Sequence, residues 1–171
     1  MKKVILFATL VVSSLVSAQN YSLGGVYGFG ANYLEASKGI EVGIKNFGFV
    51  MSKGGFLTED AFDIEGSVNK LMRGDIVVTG GEYTRIGVLL RNLQIEKNLK
   101  FKIGPVIDFE QFIGVLNNGV LYDKNDYRIK LLMGVDFDIP NSNVYFSIGG
   151  IFPSMMEDGD TSLLLGGGYR W

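Results

Sequence analysis

The sequence predicts an all-β fold of eight antiparallel strands. Three observations carry that expectation: long stretches alternate apolar and polar residues with a period of two, 24 glycines accompany only 3 prolines, and no segment shows a convincing helical rhythm. A length of 171 residues suits one domain, and 47% hydrophobic with 20% charged residues excludes a disordered chain. The net charge of -2, without a basic stripe, argues against a nucleic-acid partner.

Each strand is read from its alternation. The first, residues 21–33, sets Tyr21, Leu23, Gly25, Tyr27, Phe29, Ala31 and Tyr33 against Ser22, Gly24, Val26 and Gly28. The second runs from Gly39 to Ser52, where the apolar parity slips from Ile40, Val42 and Ile44 to Phe47, Phe49 and Met51, which reads as a bulge near Asn46. Lys53-Gly54-Gly55 reads as a turn into a third strand, Phe56 to Val68, with Asp63, Glu65 and Ser67 on its polar face. The fourth, Ile76 to Asn92, carries Arg85 and Arg91 opposite Ile86, Val88 and Leu90, with a second bulge expected at Gly80-Gly81. The fifth, Asn98 to Val115, includes Pro105, which lacks the donor an internal strand uses, so a bulge or local break is expected there.

Asn117-Asn118-Gly119 is a turn signal in a loop ending near Asn125. The sixth strand, Tyr127 to Ile139, is the clearest, with Tyr127, Ile129, Leu131, Met133, Val135, Phe137 and Ile139 on one face and Arg128, Lys130, Asp136 and Asp138 on the other. After the tight turn Pro140-Asn141-Ser142, the seventh covers Asn143 to Phe152. The eighth, Thr161 to Trp171, ends on Tyr169-Arg170-Trp171.

Residues 1–18 read as a secretory signal peptide: Lys2 and Lys3, an apolar run from Val4 to Val12, then small residues up to Ala18 ahead of Gln19. The expected domains are therefore the signal peptide, 1–18, and the β-barrel domain, 19–171. Cysteine is absent, so neither disulfides nor a lipoprotein anchor contribute, and no later stretch has the length of a transmembrane helix. An exported chain of this kind enters a membrane as strands or stays soluble.

Alternation leaves the direction of the apolar face open. Inward, it describes a soluble lipocalin-like barrel that binds an apolar ligand; outward, it meets lipid. Two residue patterns favour outward. The polar face carries a nearly balanced set of charges, Glu41, Asp63, Glu65, Asp108, Glu110, Asp136 and Asp138 against Lys45, Arg85, Arg91, Lys100, Lys102, Arg128, Lys130 and Arg170, which can pair inside a narrow lumen. Aromatic residues also gather at strand ends on the apolar face, as girdles at two lipid–water boundaries do. The expected fold is then an eight-stranded antiparallel up-and-down transmembrane β-barrel, the size whose interior side chains just fill.

With its leader, eight amphipathic strands and terminal Tyr169-Arg170-Trp171, the chain resembles the small bacterial outer-membrane β-barrels of the OmpX and OmpA-barrel type. The Ser17-Ala18-Gln19 junction resembles those common in Bacteroidetes. The resemblance implies residence in the outer membrane among its lipids, and recognition of the terminal strand, through Tyr169 and Trp171, by the barrel assembly machinery.

Chemistry is sparse. Without histidine or cysteine there is no Ser-His or Cys-His nucleophile pair and no usual zinc site, so no enzyme activity, cofactor or metal is expected. The pairs Asp136 with Asp138 and Asp108 with Glu110 have acid–base spacing, but read better as partners of Arg128, Lys130, Lys100 and Lys102 in a lumenal network. Asp123 to Asp126 and Glu157-Asp158-Gly159-Asp160 lack calcium-loop spacing and read as solvated turns. The expected function is a structural or interaction role, with contact to a protein partner through the loops. A soluble ligand-binding barrel and a narrow channel are the alternatives.

Overall fold

The computed structural model describes residues 21–30, 34–116, 121–153 and 161–171. The expected signal peptide, the turn at 117–119 and the acidic run at 157–160 lie outside the described residues. Eight strands form a closed barrel in sequence order: β1 (Tyr21–Gly30), β2 (Leu34–Ile44), β3 (Phe47–Leu57), β4 (Val77–Glu96), β5 (Leu99–Val115), β6 (Leu121–Asp138), β7 (Val144–Pro153) and β8 (Ser162–Arg170). Every neighbouring pair is antiparallel, and β1 closes on β8 from Ser22 opposite Arg170 to Gly30 opposite Ser162. Closure leaves no open strand edge.

The count of eight stands, yet two elements differ from the sequence reading and offset each other. The parity slip at Asn46 is a hairpin, not a bulge: Ile44 pairs with Phe47 across the two-residue turn Lys45-Asn46, and Lys45 adopts φ 54°. A two-residue turn shifts apolar parity by one, as a bulge does, and a positive φ at its first position suits the twist of a tight hairpin. The expected second strand is therefore β2 plus β3. Lys53-Gly54-Gly55 does not turn but continues β3, where a Cβ at Gly54 would lie 2.6 Å from the Tyr83 ring and 2.7 Å from the Ala36 carbonyl.

The expected third strand is instead a short 3-10 turn, Glu59–Ala61, and a helix, α1 (Ile64–Met72), the one α-helix among the described residues. Asp63 caps it by accepting from the Gly66 N–H at 2.9 Å. Ile64 and Val68 satisfy both a period of two and a spacing of four, so alternation misread the segment; Met72 extends the helical spacing. Lys70 donates to Asp60 at 2.6 Å, and this bond raises its ammonium above the usual lysine range.

Smaller differences follow from strand geometry. The bulge expected near Gly80 is present, as a register shift between Val78 and Gly80. Pro105 causes none: Gly87 faces Val106 and Leu90 faces Ile103 in one register, and Pro105 faces Leu131 on the other side. A missing N–H removes one ladder bond without displacing the strand. Strand β6 begins at Leu121 and takes in Asp123 to Asp126, which read as a solvated turn from sequence. The turn at Pro140-Asn141-Ser142 forms as expected, with Asn141 at φ 60°.

The apolar face points outward: Ile86, Ile107, Ile129, Phe146 and Leu163 are exposed, while Arg85, Asp108 and Asp136 are at most 1% exposed. The inside holds one apolar layer, Val26, Val50, Leu89, Val106, Leu132, Ile151 and Leu164, with one residue from every strand except β2. There the register sets Gly39 opposite Val26. The layer falls between charges along the chain, with Leu89 between Arg85 and Arg91, Val106 between Lys102 and Asp108, and Leu132 between Lys130 and Asp136.

Candidate functional site: two ion clusters in the lumen

Inward positions on β4, β5 and β6 carry cations and carboxylates at spacings of two, so cross-strand register decides which of them meet. At the end of the barrel where β1 begins and β8 finishes, the chain-end side, Glu41, Arg91, Lys102, Asp136, Asp138, Lys100 and Arg170 form one cluster. Arg91 bridges Glu41 at 3.2 Å and Asp136 at 3.0 Å, and also donates to the Ser22 hydroxyl. Lys102 reaches Glu41 at 2.6 Å and Asp136 at 3.1 Å. Arg170 donates to Asp136 at 2.6 Å and to Asp138, and Lys100 lies 2.7 Å from Asp138. The Tyr145 ring underlies this cluster, 4.3 Å from the Arg170 guanidinium and 5.7 Å from that of Arg91.

The second cluster lies toward the opposite end. Arg85 forms a fork with Asp108, its Nε at 2.6 Å and its Nη2 at 2.7 Å from the two carboxylate oxygens. Lys130 bridges Asp108 at 2.9 Å and Glu110 at 3.3 Å, and Arg128 lies 3.2 Å from Glu110. Glu35 accepts from the Tyr83 and Ser162 hydroxyls and lies 3.7 Å from Arg85. No ion pair among the described residues joins the two clusters.

The pattern between β5 and β6 is diagonal. Asp108 faces Arg128 and Lys100 faces Asp136 in the register, yet the ion pairs run one step across, from Lys130 to Asp108 and from Lys102 to Asp136. Diagonal neighbours are within reach of long side chains, and each carboxylate thereby meets more than one cation. A carboxylate deep in such a lumen needs this, because a lone buried charge is costly.

Three residues expected in this network lie elsewhere. Lys45 is exposed in the β2–β3 turn; Asp63 caps α1 and Glu65 sits in its first turn, both exposed outside the barrel. The other twelve, Glu41, Arg85, Arg91, Lys100, Lys102, Asp108, Glu110, Arg128, Lys130, Asp136, Asp138 and Arg170, take part in the ion pairs above. Glu35 was missed because it reads as loop from sequence. Its signal is parity: extending β2 backward from Glu41 through Gly39 and Ser37 reaches Glu35 on the same inward face. Tyr83 and Tyr145 were also missed, since a tyrosine on a polar face, next to Arg85 in one case and between Asn143 and Ser147 in the other, reads only as interruption.

Tyr169 and Trp171 point outward beside each other, ring centroids 5.9 Å apart, and the Asn143 amide donates to the Tyr169 hydroxyl at 2.9 Å. Asp123 accepts from the Gln111 amide at 3.0 Å across β5–β6. Among the described residues no group of three or more histidine, cysteine, aspartate or glutamate side chains is arranged to hold a metal. The apolar-inward alternative fails, because the interior is ionic on both sides of a single apolar layer.

No family model matches the chain, and no curated protein matches it by sequence. Its fold is that of small eight-stranded barrels. It resembles the N-terminal β-barrel domain of Pseudomonas aeruginosa OprF (TM-score 0.56, 11% identity, 90% of this chain and 98% of that one). It also resembles Neisserial surface protein A, NspA (TM-score 0.52, 10% identity, 89% of this chain and 96% of that one).

Proposed function

We propose that the protein is a small integral barrel of the bacterial outer membrane, with a structural or interaction role and a lumen that is not an open pore. The observation that carries this reading is the outward apolar band. On β6 it runs from Tyr127 through Ile129, Leu131, Met133 and Val135 to Phe137. Ten residue steps at about 3.4 Å, tilted by about 40°, give a height of about 26 Å, which matches the band of a membrane-spanning barrel. Above it the outward positions turn polar at Asn125 and Asp123, where a lipid boundary would fall.

The fold shared with the OprF barrel domain and NspA supports the same reading. In that setting the lipids of the outer membrane are the partner of the band, the assembly machinery reads Tyr169 and Trp171, and a protein partner is met through the connections. Enzyme activity has no support in residue chemistry, since histidine and cysteine are absent from the sequence.

Fractionation with heat-dependent gel mobility tests the proposal. The protein should require detergent for extraction and should migrate differently before and after boiling. Release by salt alone, with mobility unchanged by heating, contradicts it.

A further inference from the structure

We infer that the apolar layer, and not the ion pairs, closes the lumen, so that the barrel is two dead-end chambers rather than one channel blocked by salt bridges. Seven strands contribute to this septum, and Leu89, Val106 and Ile151 are fully buried. Inward glycines let the side chains meet across the narrow bore. A Cβ at Gly87 would lie 2.4 Å from Val106 Cγ1 and 3.0 Å from Val50 Cγ1, and one at Gly28 would lie 3.1 Å from Leu164 Cδ2. The septum is thus filled to van der Waals contact at points where even a methyl group has no room.

The charges keep to their own sides. Glu35, Asp108 and Glu110 meet Arg85, Arg128 and Lys130 on one side of the septum, and Glu41, Asp136 and Asp138 meet Arg91, Lys100, Lys102 and Arg170 on the other. Buried polar atoms without a protein hydrogen-bond partner, Arg85 Nη1, Arg91 Nε and Arg170 Nε, belong to these clusters. An ion crossing the septum meets the hydrocarbon side chains of these seven residues, with the buried Ser37 hydroxyl beside Gly28 at their margin, and must shed its hydration with little in exchange, as at a hydrophobic constriction. Rearranging salt bridges on either side leaves that obstacle in place.

The chambers have separate mouths. A recess of about 260 Å³ at the chain-end side is lined by Lys45, Lys100, Arg170 and Asn92. A recess of about 130 Å³ at the other side is lined by Glu35, Glu110, Arg128 and Lys130. A solute taken up at one mouth stays on that side, so passage through the barrel is not among the functions of this protein.

The sequence is free of cysteine, so single introduced thiols report access directly. Leu132→Cys places a thiol in the septum and Lys100→Cys one in the chain-end chamber; both are exposed to a charged methanethiosulfonate in folded, detergent-solubilised protein. Lys100→Cys is expected to react, and Leu132→Cys to stay unmodified until the barrel is unfolded. Val106→Cys serves as a second septum reporter if Leu132→Cys does not fold. Modification of the septum thiols at the rate of Lys100→Cys overturns the inference.

A second arm rests on the membrane reading. Planar-bilayer recordings compare the wild type, a Leu89→Ser/Leu132→Ser variant and an Arg91→Gln/Asp136→Asn variant, each first shown to be folded by its heat-dependent mobility. Conductance steps are expected from the septum variant alone. Conductance from the ion-pair variant overturns the inference. A wild type that never associates with lipid contradicts the transmembrane reading alone, and the thiol arm then still decides on the septum.

Discussion

Leu131 and Leu132 are neighbours in β6 with opposite surroundings: Leu131 is 36% exposed on the outer band, and Leu132 is 1% exposed between two ion clusters. The same contrast runs round the barrel. Its outer face is apolar over its full middle height, and its interior is mostly charge, interrupted by one apolar layer. In a water-soluble protein the burial of apolar surface holds the fold together. Here that role divides in two. In the proposed membrane setting the outer face finds its apolar surroundings in lipid, and the interior is held by cross-strand ion pairs whose members, once enclosed, find partners only within their own cluster.

Substitutions at neighbouring inward and outward positions sharpen this contrast. The largest effect is expected from removing one member of a buried pair. Asp108→Ala removes the forked carboxylate from Arg85, leaving it only Glu35 at 3.7 Å, and leaves Lys130 with Glu110 alone; it should cost roughly 3–5 kcal/mol, read as a lowered urea midpoint in lipid vesicles. Replacing the pair together, Arg85→Met with Asp108→Leu, should restore most of that loss, because the expense lies in the unpaired charge. In the septum, Leu132→Ala should cost about 2–5 kcal/mol by leaving a cavity. On the outer face Leu131→Arg should cost roughly 2–4 kcal/mol if the site lies near mid-bilayer, with the loss absent in a detergent that lets the arginine reach water. An Asp108→Ala variant as stable as the wild type breaks the account of the interior, and an indifferent Leu131→Arg breaks that of the exterior. At the small end, Lys70→Ala on exposed α1 should leave the unfolding midpoint unchanged, since its pair with Asp60 lies outside both regions.

How much of this was legible follows from which signals are local. Faces could be read wherever alternation is strict, and β6 was read residue by residue from Tyr127 to Asp138, where six outward apolar positions alternate with an inward face rich in charge, but not over Leu121 to Asp126, where the outward positions turn polar. The segment 39–68 went wrong because its cues are degenerate. A hairpin and a bulge displace parity equally, and Ile64 and Val68 fit a strand and a helix alike. Only the cap at Asp63 and the turn at Lys45 separate these choices, and both depend on backbone angles that no single residue type dictates.

For the site, the charged residues on regular strands could be listed from parity, but their grouping could not. Whether Lys102 meets Asp136 or Asp138 depends on the β5–β6 register, which is a property of two strands together. The septum was invisible for the same reason. Val26, Val50, Leu89, Val106, Leu132, Ile151 and Leu164 each look like an exception within a polar face, and only closure of the barrel brings them into one layer.

The central claim, an apolar exterior against lipid around an ionic interior, is tested most directly by a single tryptophan at position 131. In a Trp171→Phe background, Leu131→Trp is refolded into vesicles whose acyl chains carry bromine at defined depths. The account predicts blue-shifted emission quenched most strongly by bromine deep in the acyl region. Emission at the wavelength of water-exposed tryptophan, indifferent to bromine at every depth, would contradict it.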